Sequence, residues 1–150
     1  MKTVSFTYIH NNYTTPLLEG IRLPAGLNAT QITDFNAFPY TDYQTNIVLF
    51  RLSGEKPLRR KENALIKHAL TADHSFVYLI IMPFSFEKDV NRPWAYKQLS
   101  KLQDKHKNFE LIDMEAYLKE MPNATFDEAF QQARQVIELI CSVYANTFRG

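Results

Sequence analysis

The most chemically suggestive residues form a short basic run. Arg59, Arg60 and Lys61 follow the turn-like SGEKPL and open a stretch with helical periodicity. Cations at the start of a helix can hold an anion by charge, and a solvated basic face explains the same residues without any ligand. Glu87 is the second candidate. It stands just past an apolar run in LIIMPFSFEKD, where Pro83 ends the run and Phe84 and Phe86 flank the turn. By itself such a carboxylate reads as a solvated turn residue. Other constellations are poorer. His68, Asp73 and His74 are close in sequence, but Asp73 and His74 read as a turn between helix and strand, and no further ligands have zinc-site spacing. His10 has only Asn11 and Asn12 nearby, and Cys141 sits on an apolar helical stripe as a small buried hydrophobe. Paired carboxylates, a phosphate-loop signature and a nucleophile elbow are all missing, so no catalytic residue and no metal site is expected.

The elements that must position these residues alternate. Strand-like runs cover Thr3–Ile9, Ile47–Leu52, Ser75–Met82 and Phe109–Ile112, and most are near-continuously apolar, as strands covered on both faces are. Helical patterns cover Leu58–Leu70, Trp94–Lys107 and Thr125–Tyr144. The last opens with a capping box, Thr125 to Glu128, and carries Phe126, Ala129, Phe130, Ala133, Ile137, Ile140 and Tyr144 at helical spacing. Val136, Leu139 and Val143 widen that stripe and predict a largely buried helix. Strand–helix alternation predicts an α/β fold, a small, mainly parallel sheet flanked by helices.

Residues 14–44 depart from this rhythm. Pro16, Gly20, Pro24, Gly26 and Pro39 punctuate scattered apolar residues, so an irregular covering segment is expected. Its end, DFNAFPYTDYQ, is aromatic and nearly uncharged. Phe35, Phe38, Tyr40 and Tyr43 either cover the sheet or form an arm that docks on another chain.

A chain of 150 residues is expected to form one domain over residues 1–150. Neither a signal-peptide core nor a membrane-length apolar run is present, and one cysteine suits a reducing compartment, so a cytoplasmic protein is expected. A net charge of +1 hides an asymmetry: the stretch from Arg51 to His68 is basic, and that from Phe109 to Glu138 acidic. Solvated faces are the usual explanation, and head-to-tail association is the sharper one. The basic patch is short and lacks interleaved aromatics, so no nucleic-acid partner is expected.

MPFSFE after a buried strand resembles the strand-end motif of the FtsZ/tubulin family, a Pro-Phe-x-Phe-Glu turn after a central strand of the GTPase domain. NIVLFRLSGEKPLRRKENALIKHAL is similar to that family's preceding strand, phosphate-binding loop and helix, FELIDMEAYLKEM to its next strand and short helix, and TFDEAFQQARQVIELI to the start of its long central helix. The resemblance covers the chain from Asn46 to Tyr144 and implies a Rossmann-like, tubulin-like GTPase domain lacking the second domain. It puts Glu87 where the family's glutamate meets the ribose, and Phe130 where an aromatic packs on guanine. Phe130 also fits the core stripe of its own helix. Departures accompany it. The glycine-rich phosphate loop is replaced by SGEKPLRRKEN, the first strand runs into YIHNNYTT, Gln135 stands where a carboxylate reads guanine, and the chain stops at Gly150. The expectation is therefore a non-enzymatic interaction or assembly domain, without cofactor, whose partner is itself or a larger FtsZ/tubulin-like protein and not a membrane. The alternative is a small-molecule module with a weak nucleotide or anion site at Glu87, Phe130, Arg59, Arg60, Lys61 and Gln135.

Overall fold

The computed structural model describes residues 2–9, 14–105, 108–120, 123 and 125–147. Residues 10–13 of YIHNNYTT, His10 among them, lie outside these. Strand β1 (Lys2–Ile9) is followed by helix α1 (Thr14–Leu18) and strand β2 (Ala29–Ile32). The 3-10 turns Phe35–Ala37 and Tyr40–Asp42 lead into β3 (Tyr43–Arg51). A third such turn, Lys56–Leu58, precedes α2 (Arg59–Thr71), then β4 (Phe76–Met82), α3 (Arg92–Asp104), β5 (Phe109–Asp113), α4 (Met114–Glu120) and α5 (Phe126–Thr147).

The strands form one five-stranded sheet in the order β2-β1-β3-β4-β5, parallel throughout. This is a doubly wound α/β order, shared with flavodoxin-like proteins, in which growth of the sheet reverses between β1 and β3. Successive residues of the central strands feed opposite faces. Ile47, Leu49, Val77, Leu79 and Ile81 pack with α1, α4 and α5, while Val48, Phe50, Tyr78, Ile80 and Met82 pack with α2 and α3. Burial on both faces is why these strands read as unbroken apolar runs.

Several boundaries differ from the sequence reading. The segment 14–44 is more regular than expected: it holds α1 and the edge strand β2, whose Ala29–Ile32 pairs with Phe6–Ile9. A polar, four-residue strand with only Ile32 buried has no periodic signal of its own. β3 starts at Tyr43 because Asn46, 1% exposed, is satisfied inside: it accepts from the Ser5 hydroxyl at 2.6 Å and donates to the Tyr40 carbonyl at 3.1 Å. α5 is not largely buried. Ala129, Ala133, Ile137, Cys141 and Ala145 face the core, whereas Phe126, Leu139 and Val143 are more than half exposed, since α5 packs against the sheet, α1 and α4 on one side only.

Candidate functional site

The carboxyl end of β3 delivers Arg51 into the interior. Its side chain is 2% exposed, Nη2 donates to Glu87 Oε1 at 3.2 Å, and Nη1 lies 3.5 Å from Glu55 Oε2. The other oxygen of Glu87 accepts from the Phe84 backbone amide at 2.6 Å, so the turn after β4 closes on its own carboxylate. Phe130 reaches the same place from α5, its ring edge-on to Phe84 at 6.5 Å. The space left among Arg51, Phe84, Glu87, Met114 and Phe130 is a cavity of about 20 Å³, room for one water molecule. Glu87 and Phe130 are thus brought together around a cleft filled by side chains. Arg51, read from sequence as part of a basic run, is the buried cation that joins them.

The loop after β3 carries two further commitments. Glu62, 4% exposed in the first turn of α2, accepts from the Ser53 amide at 3.0 Å, the Gly54 amide at 2.8 Å and the Ser53 hydroxyl at 2.7 Å. Successive backbone amides converging on one oxygen form an anion nest. Here the anion is the chain's own carboxylate. Burial raises the Glu62 carboxyl above its ordinary value, against the opposing pull of those amides, the Ser53 hydroxyl and Arg51. Gly54 has φ +73, and a Cβ there would lie 2.5 Å from the Asn91 carbonyl oxygen, so both conformation and close approach demand glycine. Asn91 in turn donates its amide to the Ser53 carbonyl at 2.8 Å and caps α3 by accepting from the Trp94 amide at 3.1 Å.

The predicted basic trio divides. Arg59 donates to the Gly54 carbonyl at 2.8 Å and lies 5.7 Å from the Trp94 ring centroid, bracing the loop. Arg60 and Lys61 are exposed. Gln135 is exposed on α5, while its neighbour Arg134 donates to the Leu17 carbonyl at 2.9 Å and ties α1 down.

A polar cluster that sequence reading missed joins the ends of β4 and β5. Arg92 pairs with Asp113 at 3.1 Å and Glu115 at 3.4 Å and also donates to the Pro83 carbonyl, while the Tyr96 hydroxyl donates to Asp113 and the Ser85 hydroxyl to Glu115. Burial pushes Asp113 up, but hydrogen bonds from Tyr96 and Arg92 hold its carboxyl below the ordinary value. Carboxylates closing the end of β5 were the available signal. The cluster is internally satisfied and acts as a clamp between strand ends.

The aromatic segment lies on its own domain. Phe35 stacks on Tyr40 at 4.9 Å and meets His68 edge-on at 4.1 Å, Tyr40 packs on Phe76 at 5.2 Å, and Phe38 stacks on Tyr43 at 5.6 Å. All of Phe35, Phe38, Tyr40 and Tyr43 are half-buried, and burial pushes the Tyr40 phenol up to about 12. This is the covering arrangement rather than an extended arm. Asp73 receives the Ser75 amide at 2.9 Å, making the turn expected there. Cys141 is fully buried, its thiol pushed up to about 12 by burial. Among the described residues, no helix is long and apolar enough to cross a membrane, and no cluster of three or more His, Cys, Asp and Glu is placed to hold a metal ion. No family model, curated protein or solved structure matches the chain.

Proposed function

We propose that the chain is a non-enzymatic, FtsZ/tubulin-like domain of the cytoplasm that works by assembly, docking on a second copy of itself or on a larger protein of that family. The observation that carries this reading is how charge divides across the layers. Helices α2 and α3 with their flanking turns expose Lys56, Arg60, Lys61, Lys67, Lys88, Lys97, Lys101 and Lys105 against Asp73, Asp89 and Asp104. On the opposite side of the sheet, α4 and α5 expose Glu120, Asp127 and Glu128, with Lys119 the exception. Faces of opposite sign on opposite sides of one domain favour a head-to-tail contact, which propagates instead of closing on a two-fold axis. Phe86 and Phe126, 62% and 53% exposed and 5.3 Å apart, add an apolar contact at the carboxyl edge of the sheet. Glu62 in the amide nest and the 20 Å³ cavity beside Glu87 support an assembly role that needs no bound nucleotide. A residual anion site is the second reading, favoured by the exposure of Arg60 and Lys61 at the start of α2.

Sedimentation of charge-reversed variants tests the assembly reading. Lys97→Glu with Lys101→Glu should dissociate the assembly, as should Glu120→Lys with Asp127→Lys. Mixing the two variants should restore it. A protein that sediments as a monomer at high concentration in low salt overturns the reading.

A further inference from the structure

A large cavity lies away from the filled cleft, on the α2 side of the sheet. It measures about 450 Å³ and is lined by Ile9, the last residue of β1, by Thr33, Asp34 and Phe35 after β2, and by Lys61, Leu65 and His68 of α2 among others. That volume falls within the roughly 300–1,000 Å³ of small-molecule pockets. A smaller space of about 130 Å³ adjoins it, sharing Ile9, Thr33, Lys61 and Leu65 and reaching Phe50 and Arg51 at the end of β3. The groove therefore opens at the carboxyl ends of β1, β2 and β3, where the sheet reverses its direction of growth. Doubly wound sheets bind ligands in that crevice because diverging connections leave it open there.

Its lining selects a chemistry. Ile9, Leu65 and the Cβ of Ala64 make an aliphatic wall, and the rings of Phe35 and His68, with centroids 4.1 Å apart, close one end. Lys61 stands on the rim with no carboxylate partner among the described residues. Asp34 faces the groove with one oxygen committed to the Asn36 amide at 3.0 Å, leaving its other oxygen to accept. We propose that this groove binds a small aromatic carboxylic acid carrying a hydroxyl or N–H group. Its ring lies on the apolar wall against Phe35, its carboxylate pairs with Lys61, and its donor meets Asp34. His68 is engaged by the Tyr78 hydroxyl through Nδ1 at 2.9 Å, which fixes the ring as a wall.

The test uses 4-hydroxyphenylacetate as the probe and 4-methylphenol, which lacks the carboxylate, as its control, followed by amide chemical shifts in the full chain. The expected result is saturable shifts at Thr33, Asn36 and Ala64 with the acid, at least tenfold weaker with the phenol, and at least tenfold weaker for the acid in Lys61→Gln. Ala64→Trp, placed at an exposed helix position so that the fold survives, should abolish binding by filling the groove. Absence of shifts at those amides at millimolar acid, equal binding of the phenol, or unchanged affinity in either variant overturns the proposal. Sedimentation of the same samples reads assembly separately, so failure of one proposal leaves the other standing.

Discussion

Glu62 decides the character of the loop after β3. A carboxylate on the first turn of α2 takes the amides that a bound anion would otherwise take, and it does so at the cost of being buried. Glu62→Ala leaves the Ser53 and Gly54 amides without a partner, which costs about 1–3 kcal/mol for each buried group left unpaired. Chemical denaturation checks that loss. The same variant exposes an empty nest, so inorganic phosphate should raise its melting temperature and leave the wild-type value unchanged. Equal response of the two proteins would show that the nest is not an anion site. With the nest occupied, GTP turnover should stay at the no-protein blank with or without magnesium. Phosphate release that disappears in Glu87→Ala would contradict this. His68 sets an acid limb. Burial lowers its value below the ordinary 6.5, so the unfolded chain binds more protons in the window below that pH. The stability is complete above pH 6.5 and is lost as pH falls toward the folded value. Melting temperature followed from neutral to mildly acidic pH should drop, and His68→Gln should remove part of that slope.

At the scale of elements, α5 is a one-sided spine. Its capping box forms as the sequence predicts: the Glu128 amide donates to the Thr125 hydroxyl at 3.2 Å, and Glu128 reaches back to the Thr125 amide at 3.4 Å. Thr125→Ala should cost about 1 kcal/mol. Phe130→Ala should cost about 3 kcal/mol, the low end for a buried aromatic, because the ring is partly exposed but plugs the cleft beside Glu87. Leu139→Gln and Val143→Gln should change stability little, since these side chains are 65% and 54% exposed. Equilibrium unfolding of the four variants separates them. The segment before β3 behaves as part of the fold: Tyr40→Ala removes packing on Phe35 and Phe76 and should lower the melting temperature.

For the whole molecule, the proposed association between basic and acidic faces on opposite sides of the sheet should be sensitive to salt. The Debye length falls from about 10 Å at 0.1 M to about 3 Å at 1 M, so sedimentation should shift toward monomer over that range. Phe86→Ala with Phe126→Ala should weaken association at every salt concentration if the aromatic edge lies in the contact, because burial of apolar rings is not screened. An assembly indifferent to salt and lost only in the aromatic variant would assign the contact to the carboxyl edge instead of the charged layers.

The sequence alone determined the elements whose signal is local and strong. Unbroken apolar runs marked the strands buried on both faces, and the box at Thr125 and Glu128 marked the start of α5, because both are properties of neighbouring residues. Glu87 and Phe130 share one small cavity through tertiary packing, and its filling could not be read from the chain. Tertiary structure alone decided what crosses between elements. β2 exists because β1 offers it a partner, Arg51 and Glu62 turned inward because Glu87 and the Ser53–Gly54 amides stood ready to pair with them, and Leu139 was left outside because α5 turns its other face to the sheet. A charged side chain reads as surface until a buried partner meets it, and an apolar one reads as core until a layer is missing.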